Sequence, residues 1–200
     1  MKLFYSPASP FVRKVMACAV AREVDSQIEL VPTNAHASPP ALLAANPLSK
    51  VPTLITEDEV ALFDSPVICE YLDALEGALP LFPRAAGPRW RALKYQALAD
   101  GIMDAAVARR GESQKPEEAA RAVALARFKA AMDRGIALLE AELPNQTVDI
   151  GTIAVGCALG YLDFRFGHEP WRPAAPQLAA WFAKFSENPC MARTAPRDPS

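Results

Sequence analysis

A change of hydrophobic period divides this chain of 200 residues. Up to residue 76, short apolar runs alternate with helical patterns; beyond residue 88 only helical spacing remains. Leu3 to Tyr5 reads as a buried strand. Ser9-Pro10 offers an N-cap and an N1 proline, and Val12, Val15, Met16, Ala19 and Val20 follow at helical spacing. Gln27 to Val31 reads as a second strand, so the start is a βαβ unit with a parallel pair. Pro39 to Ala45 predicts a short helix, ended by Asn46-Pro47 because the residue before proline avoids helical geometry. Val51 to Ile55 and Val60 to Phe63, split by Thr56-Glu57-Asp58-Glu59, predict a hairpin. Asp64-Ser65-Pro66 opens one more helix, with Val67, Ile68, Tyr71, Leu72 and Leu75 at helical spacing.

Gly77 to Pro88, rich in proline and glycine, reads as a linker between a domain at 1–76 and a second at 89–200. In the second domain, Trp90 to Ala105 mark a long helix that Gly111 to Glu117 should break. Leu125 to Leu143 mark another, and Leu178 to Phe185 a last one. Between them, Ile153 to Tyr161 carries no charge until Asp163 and should form the buried centre. Asp149 and Thr152 are spaced for a reciprocal capping box at its start. The fold class is thus α/β followed by all-α.

Composition narrows the function. The 21 Lys and Arg against 23 Asp and Glu give no basic excess for nucleic acid. No apolar run approaches the ~18 residues of a membrane span, and the N-terminal apolar stretch is too short for a signal peptide, so the cytoplasm is the expected location. Four scattered cysteines, with no C-x-x-C, and two histidines argue against a zinc site or a disulfide framework. Cys18, Cys69 and Cys157 lie in apolar helical patterns and read as core thiols.

Three motifs carry chemistry. The order β-α-β, short helix, hairpin, helix is the thioredoxin-like plan. Ser9-Pro10-Phe11-Val12 stands where glutaredoxin-like folds place C-P-x-C. Serine and valine in the cysteine positions exclude disulfide exchange by this pair. A serine at a helix N-terminus still suits a thiolate held by a hydrogen bond; alternatively Ser9 is only an N-cap. Val51-Pro52 precedes the hairpin, where this plan uses a cis proline to present the backbone N–H and C=O of the preceding residue to a peptide ligand; alternatively it is an ordinary strand-entry proline. In Asp64-Ser65, the Asp suits an α-ammonium and the Ser and helix N-terminus suit a carboxylate, as one amino-acid head group requires; a simple helix cap is the alternative. Arg13 and Lys14 could guide an anionic tripeptide, but such charges are more often a solvated face.

Together, Tyr5-Ser6-Pro7-Ala8-Ser9-Pro10-Phe11-Val12-Arg13-Lys14-Val15, Asn46-Pro47-Leu48-Ser49-Lys50-Val51-Pro52-Thr53-Leu54 and Phe63-Asp64-Ser65-Pro66-Val67-Ile68 resemble the glutathione transferase family, closest to its small bacterial, YibF-like members. Asp149 to Asp163 resembles the family's buried capped helix, although the family usually places Ser or Thr first and Asp third. The resemblance implies a thioredoxin-like domain followed by an all-helical one, glutathione as co-substrate and no metal. It implies that Ser9 meets the cysteinyl sulfur, with Tyr5 and Ser6 as rivals. Val51 beside Pro52 would pair with the cysteinyl unit, Asp64 and Ser65 would hold the γ-glutamyl head, and Lys50 would add charge near the tripeptide. It also implies a homodimer in which Asp100, or Asp104, of the partner subunit completes the γ-glutamyl pocket. The implied activity is transfer of glutathione, a detoxification chemistry, to a small apolar electrophile bound against the helix that holds Ile102 and Met103. The rivals are a non-enzymatic adaptor of the stringent starvation type, or a glutathione-dependent isomerase, dehalogenase or peroxidase.

Overall fold

The structure, a computed structural model, describes residues 1–198. Four strands form one sheet: β1 (Lys2–Tyr5), β2 (Glu29–Pro32), β3 (Thr53–Ile55) and β4 (Ala61–Leu62), in the order β2-β1-β3-β4. β1 and β2 are parallel, as the βαβ reading required; β3 is antiparallel to both β1 and β4. The helices of this half are α1 (Pro10–Ala21), α2 (Pro40–Ala45) and α3 (Ser65–Ala74), with α1 and α3 packed together.

The second half contains α4 (Ala86–Ser113), α5 (Ala119–Ala141), α6 (Ile150–Phe166), α7 (Pro176–Phe185) and a short α8 (Pro189–Ala192). α4 begins inside the segment expected as linker and ends at Ser113, within the Gly111 to Glu117 segment expected to break it; α5 starts at Ala119. Gly111 itself stays helical, because a glycine costs a helix only about 1 kcal/mol and the packing of α4 against α5 and α6 outweighs it. α6 is the centre of the domain: every residue from Ile150 to Leu162 is buried. Its N-terminus carries the expected capping box. Asp149 Oδ1 accepts from the Thr152 N–H at 2.9 Å, and Thr152 Oγ1 accepts from the Asp149 N–H at 2.9 Å. Asp149→Ala should lower stability by about 1 kcal/mol. Urea unfolding reads this as a lower midpoint, and an unmoved midpoint would reject the cap.

The two halves share one continuous apolar core, because α1 also packs on α6 and α8. Arg13 and Lys14 therefore do not lie on a solvated face. Both are buried. The Arg13 Nη2 group donates to the Met191 carbonyl at 3.2 Å, and its guanidinium passes so close to Gly160 that no Cβ would fit there. All four cysteines are free and buried, as expected of core thiols. Burial pushes the Cys157 thiol up to about 12, so it stays protonated and inert.

Candidate functional site

Three segments leave the sheet at one end. β1 opposes β3 with Phe4 against Thr53, so the residues after β1 and those before β3 emerge together. β3 opposes β4 with Leu54 against Leu62, so the residues after β4 emerge there too. Adjacent strands lie about 4.8 Å apart. Ser9, Val51-Pro52 and Asp64-Ser65 thus share one edge, at the N-termini of α1 and α3.

Ser9 is the N-cap of α1, and its Oγ accepts the Val12 N–H at 3.3 Å. Capping uses a lone pair and leaves the hydroxyl hydrogen free to donate. The cap reading and the thiolate reading are therefore compatible. Tyr5 closes β1, and the Ser6 carbonyl accepts the Ser9 N–H at 3.1 Å, which fixes the turn into α1.

The Val51–Pro52 bond is cis, and so is the bond between Phe63 and Asp64. The carbonyl of Lys50 accepts from the Thr53 hydroxyl at 2.8 Å and from the Asn46 amide at 3.3 Å, which ties the turn to α2 and β3. Among the described residues, nothing bonds the N–H or C=O of Val51. A free donor and acceptor on one residue is what an added peptide strand needs.

Asp64 occupies the N-cap position of α3, yet its side chain caps nothing. The helix-cap alternative for this carboxylate fails, and its charge is left for another partner. Ser65, next to it, is buried at the first helical position, where backbone N–H groups have no intrahelical acceptor.

α4 supplies the opposite wall. Asp100 does not reach out of this wall: both its oxygens accept from Lys14 Nζ of the same chain, at 2.6 and 2.7 Å. Lys14 is 0% exposed and the Asp100 side chain 18%. Burial pushes the Asp100 carboxyl up, and Lys14 opposes that rise. Asp104, one turn on, is exposed, and burial raises its carboxyl less directly opposed: Lys50 pulls it down while Asp64 pushes it up. Lys50, Asp64 and Asp104 are hence close enough to feel one another across the edge. Ile102 and Met103 do not face it. Both are buried in the helical core, with Ile102 against Gly135. The exposed stripe beside Asp104 is Val107, Ala108 and Gly111 instead.

Sequence reasoning missed Lys14 and its link to Asp100. A signal was present: from Phe11 to Ala21, α1 has no polar residue except Arg13 and Lys14, so it has no polar face to turn to water. A surface depression of about 1040 Å³ lies at the other ends of α1 and α3, beside Arg22, Glu70 and Asp73, and shares no residue with the edge described. Among the described residues, no three His, Cys, Asp or Glu side chains gather as a metal would need, and no helix is long and apolar enough to cross a membrane.

The family model described as Glutathione S-transferase, N-terminal domain, matches residues 8–75, and that described as Glutathione S-transferase, C-terminal domain, matches residues 118–184. The chain is 35% identical, over 98% of both lengths, to the uncharacterized GST-like protein YibF of Escherichia coli (strain K12). It belongs to the glutathione S-transferase family. Its fold is the family's, a small sheet domain followed by a helical one. A glutathione transferase family member from Pseudomonas fluorescens Pf-5, solved with bound glutathione, is 40% identical and superposes with a TM-score of 0.90 over 100% of this chain and 99% of that one. A glutathione S-transferase of Methylobacillus flagellatus KT, solved with GSH bound, is 33% identical, with a TM-score of 0.88 over 98% of this chain and 99% of that one.

Proposed function

We propose that this chain binds glutathione along the sheet edge and activates its thiol for attack on a small apolar electrophile. The uncommitted carboxylate of Asp64 carries this reading: at a cap position that it does not use, it is matched to the α-ammonium of a γ-glutamyl head. Ser65 and the α3 N-terminus receive the α-carboxylate of that head. The open N–H and C=O of Val51 pair with the cysteinyl unit. The Ser9 hydroxyl donates to the sulfur, and the positive end of α1 favours its anionic form. The thiolate then forms the carbon–sulfur bond, and the leaving group departs with the bonding electrons.

Two copies paired about a two-fold axis would present a second α4 to this edge. Asp104 is then the carboxylate that completes the γ-glutamyl pocket, because Asp100 is held by Lys14. An adaptor on the same scaffold would have no use for a carboxylate and a backbone pair left unbonded.

Calorimetry with millimolar glutathione tests the reading, and no heat would end it. Because Asp64 caps nothing, Asp64→Ala should unfold within about 0.5 kcal/mol of the parent while its glutathione affinity falls roughly tenfold. Ser9→Ala should lower turnover of a reactive aryl halide roughly 10²-fold, as loss of a donor to a developing anion does, with affinity for glutathione little changed. Full activity in that variant would remove Ser9 from its role.

A further inference from the structure

The last turn of α6 carries a guanidinium that the glutathione reading does not use. Arg165 lies flat over the Phe164 ring, 3.9 Å from its centroid. Its side chain is 12% exposed, and its Nε is buried without a partner. Tyr161, one turn earlier, and Arg110 of α4 stand nearby, both guanidinium groups opposing the rise that burial gives the Tyr161 hydroxyl. Arg165 is therefore held by an aromatic face and by burial of its stem, and it is aimed rather than mobile.

Among the described residues, its anionic partner is Asp198. Asp198 places Oδ1 2.8 Å from Arg165 Nη1, and the Asp198 side chain is 69% exposed. The residue before it, Arg197, donates its backbone N–H to the Pro7 carbonyl at 3.3 Å. Pro7 lies in the turn that presents Ser9. Upstream, Arg193 pairs with Asp25 and the Thr194 hydroxyl donates to the Cys190 carbonyl, so the tail is tethered before it crosses that turn. Arg165, on α6, thus lies beside the β1–α1 turn that presents Ser9. On the glutathione reading this is where the substituent on sulfur must go.

We propose that Arg165 is an anion subsite for the electrophile, that the electrophile is a small aromatic or apolar molecule bearing a carboxylate, and that Asp198 is an internal occupant of that subsite. The proposal rests on glutathione binding at the sheet edge. Its energetics follow from exposure. An ion pair with one well-solvated carboxylate contributes little, so a ligand carboxylate displaces Asp198 readily. A planar guanidinium already locked by stacking then binds the newcomer in a bidentate geometry without losing further freedom. Arg165 takes no part in bond making. The sulfur–carbon bond forms at the far end of the electrophile, the leaving group takes the bonding pair, and the thiol proton passes to solvent.

Calorimetry of the full chain with S-(4-carboxybenzyl)glutathione and its uncharged amide, S-(4-carbamoylbenzyl)glutathione, tests this without requiring turnover. The carboxylate should bind roughly tenfold tighter than the amide. Asp198→Asn should widen that preference, since the competitor is gone. Arg165→Gln should abolish it, with unmodified glutathione bound as before. A merely structural Arg165 would weaken both conjugates alike. Equal affinities in the parent and in Asp198→Asn, with glutathione still bound, would overturn the subsite and leave the glutathione reading standing. Absence of glutathione binding itself would overturn both.

Discussion

Lys14→Met should destabilise the fold by about 3–5 kcal/mol at pH 8, the cost of leaving a buried charge without its partner. Lys14 Nζ lies within 2.7 Å of both Asp100 oxygens, and the pair joins α1 of the sheet domain to α4 of the helical domain. Methionine matches the lysine stem in length and keeps its packing, so the change isolates the charge. Burial already pushes the Asp100 carboxyl above its ordinary range, with Lys14 as the main opposing influence. Without Lys14 the carboxyl rises further. A carboxyl whose folded value is raised holds its proton more tightly when folded, so stability falls as pH climbs from the unfolded value, about 3.9, through the folded one. The gap between variant and parent should be widest at pH 8 and close as pH approaches 4. Replacing both partners, as in Lys14→Met with Asp100→Leu, should recover most of the loss. Urea midpoints across that pH range decide the matter, and a gap that did not change with pH would mean that Asp100 is not left uncompensated.

The same residue shows where the sequence was readable. Ser9-Pro10 and Asp64-Ser65-Pro66 combine a proline with a residue of capping type, and Val51-Pro52 sets a proline just before a hairpin, so local stereochemistry announces them. Their meeting at one edge came only with the family resemblance, since it depends on a strand order and register that local patterns do not carry. Lys14 was read as solvated because amphipathic reasoning assumes that a helix buries one face. α1 is covered by α3 on one side and by α6 and α8 on another, and no local pattern reveals the second cover. The partner of Lys14 stands 86 residues away. The start of α4 was misjudged for a related reason. Its proline-rich sequence is a local penalty, and the packing that overrides it comes from α5 and α6. The helix that holds Ile102 and Met103 was expected to back the electrophile, and those two side chains themselves belong to the core.

Gly151→Val should destabilise by about 3 kcal/mol or more, at the upper end of what overpacking costs. Gly151 sits in the first turn of α6, where α6 crosses α4 at contact distance. A Cβ there would fall 2.5 Å from the Ala92 carbonyl oxygen, 2.9 Å from the Ala92 Cα and 3.0 Å from the Tyr95 Cβ. The first two are backbone atoms, so no rotamer change relieves the clash and α4 itself must shift. That shift is resisted, because the Tyr95 hydroxyl donates to the Glu142 carbonyl at 2.6 Å and pins α4 to the end of α5. Gly101 and Gly111 provide the contrast on α4: a Cβ at either meets nothing within 4 Å. Alanine at those positions should stabilise by about 0.4–1 kcal/mol by restricting the unfolded chain. The same helix pair therefore separates glycines needed for close approach from glycines that are merely tolerated. The difference also reaches the site, since the placement of α4 sets where Asp100 meets Lys14 and where Asp104 faces Lys50 and Asp64. A Gly151→Val protein as stable as its parent would mean that α4 can slide on α6, and the wall it forms opposite the sheet edge would then not be rigid.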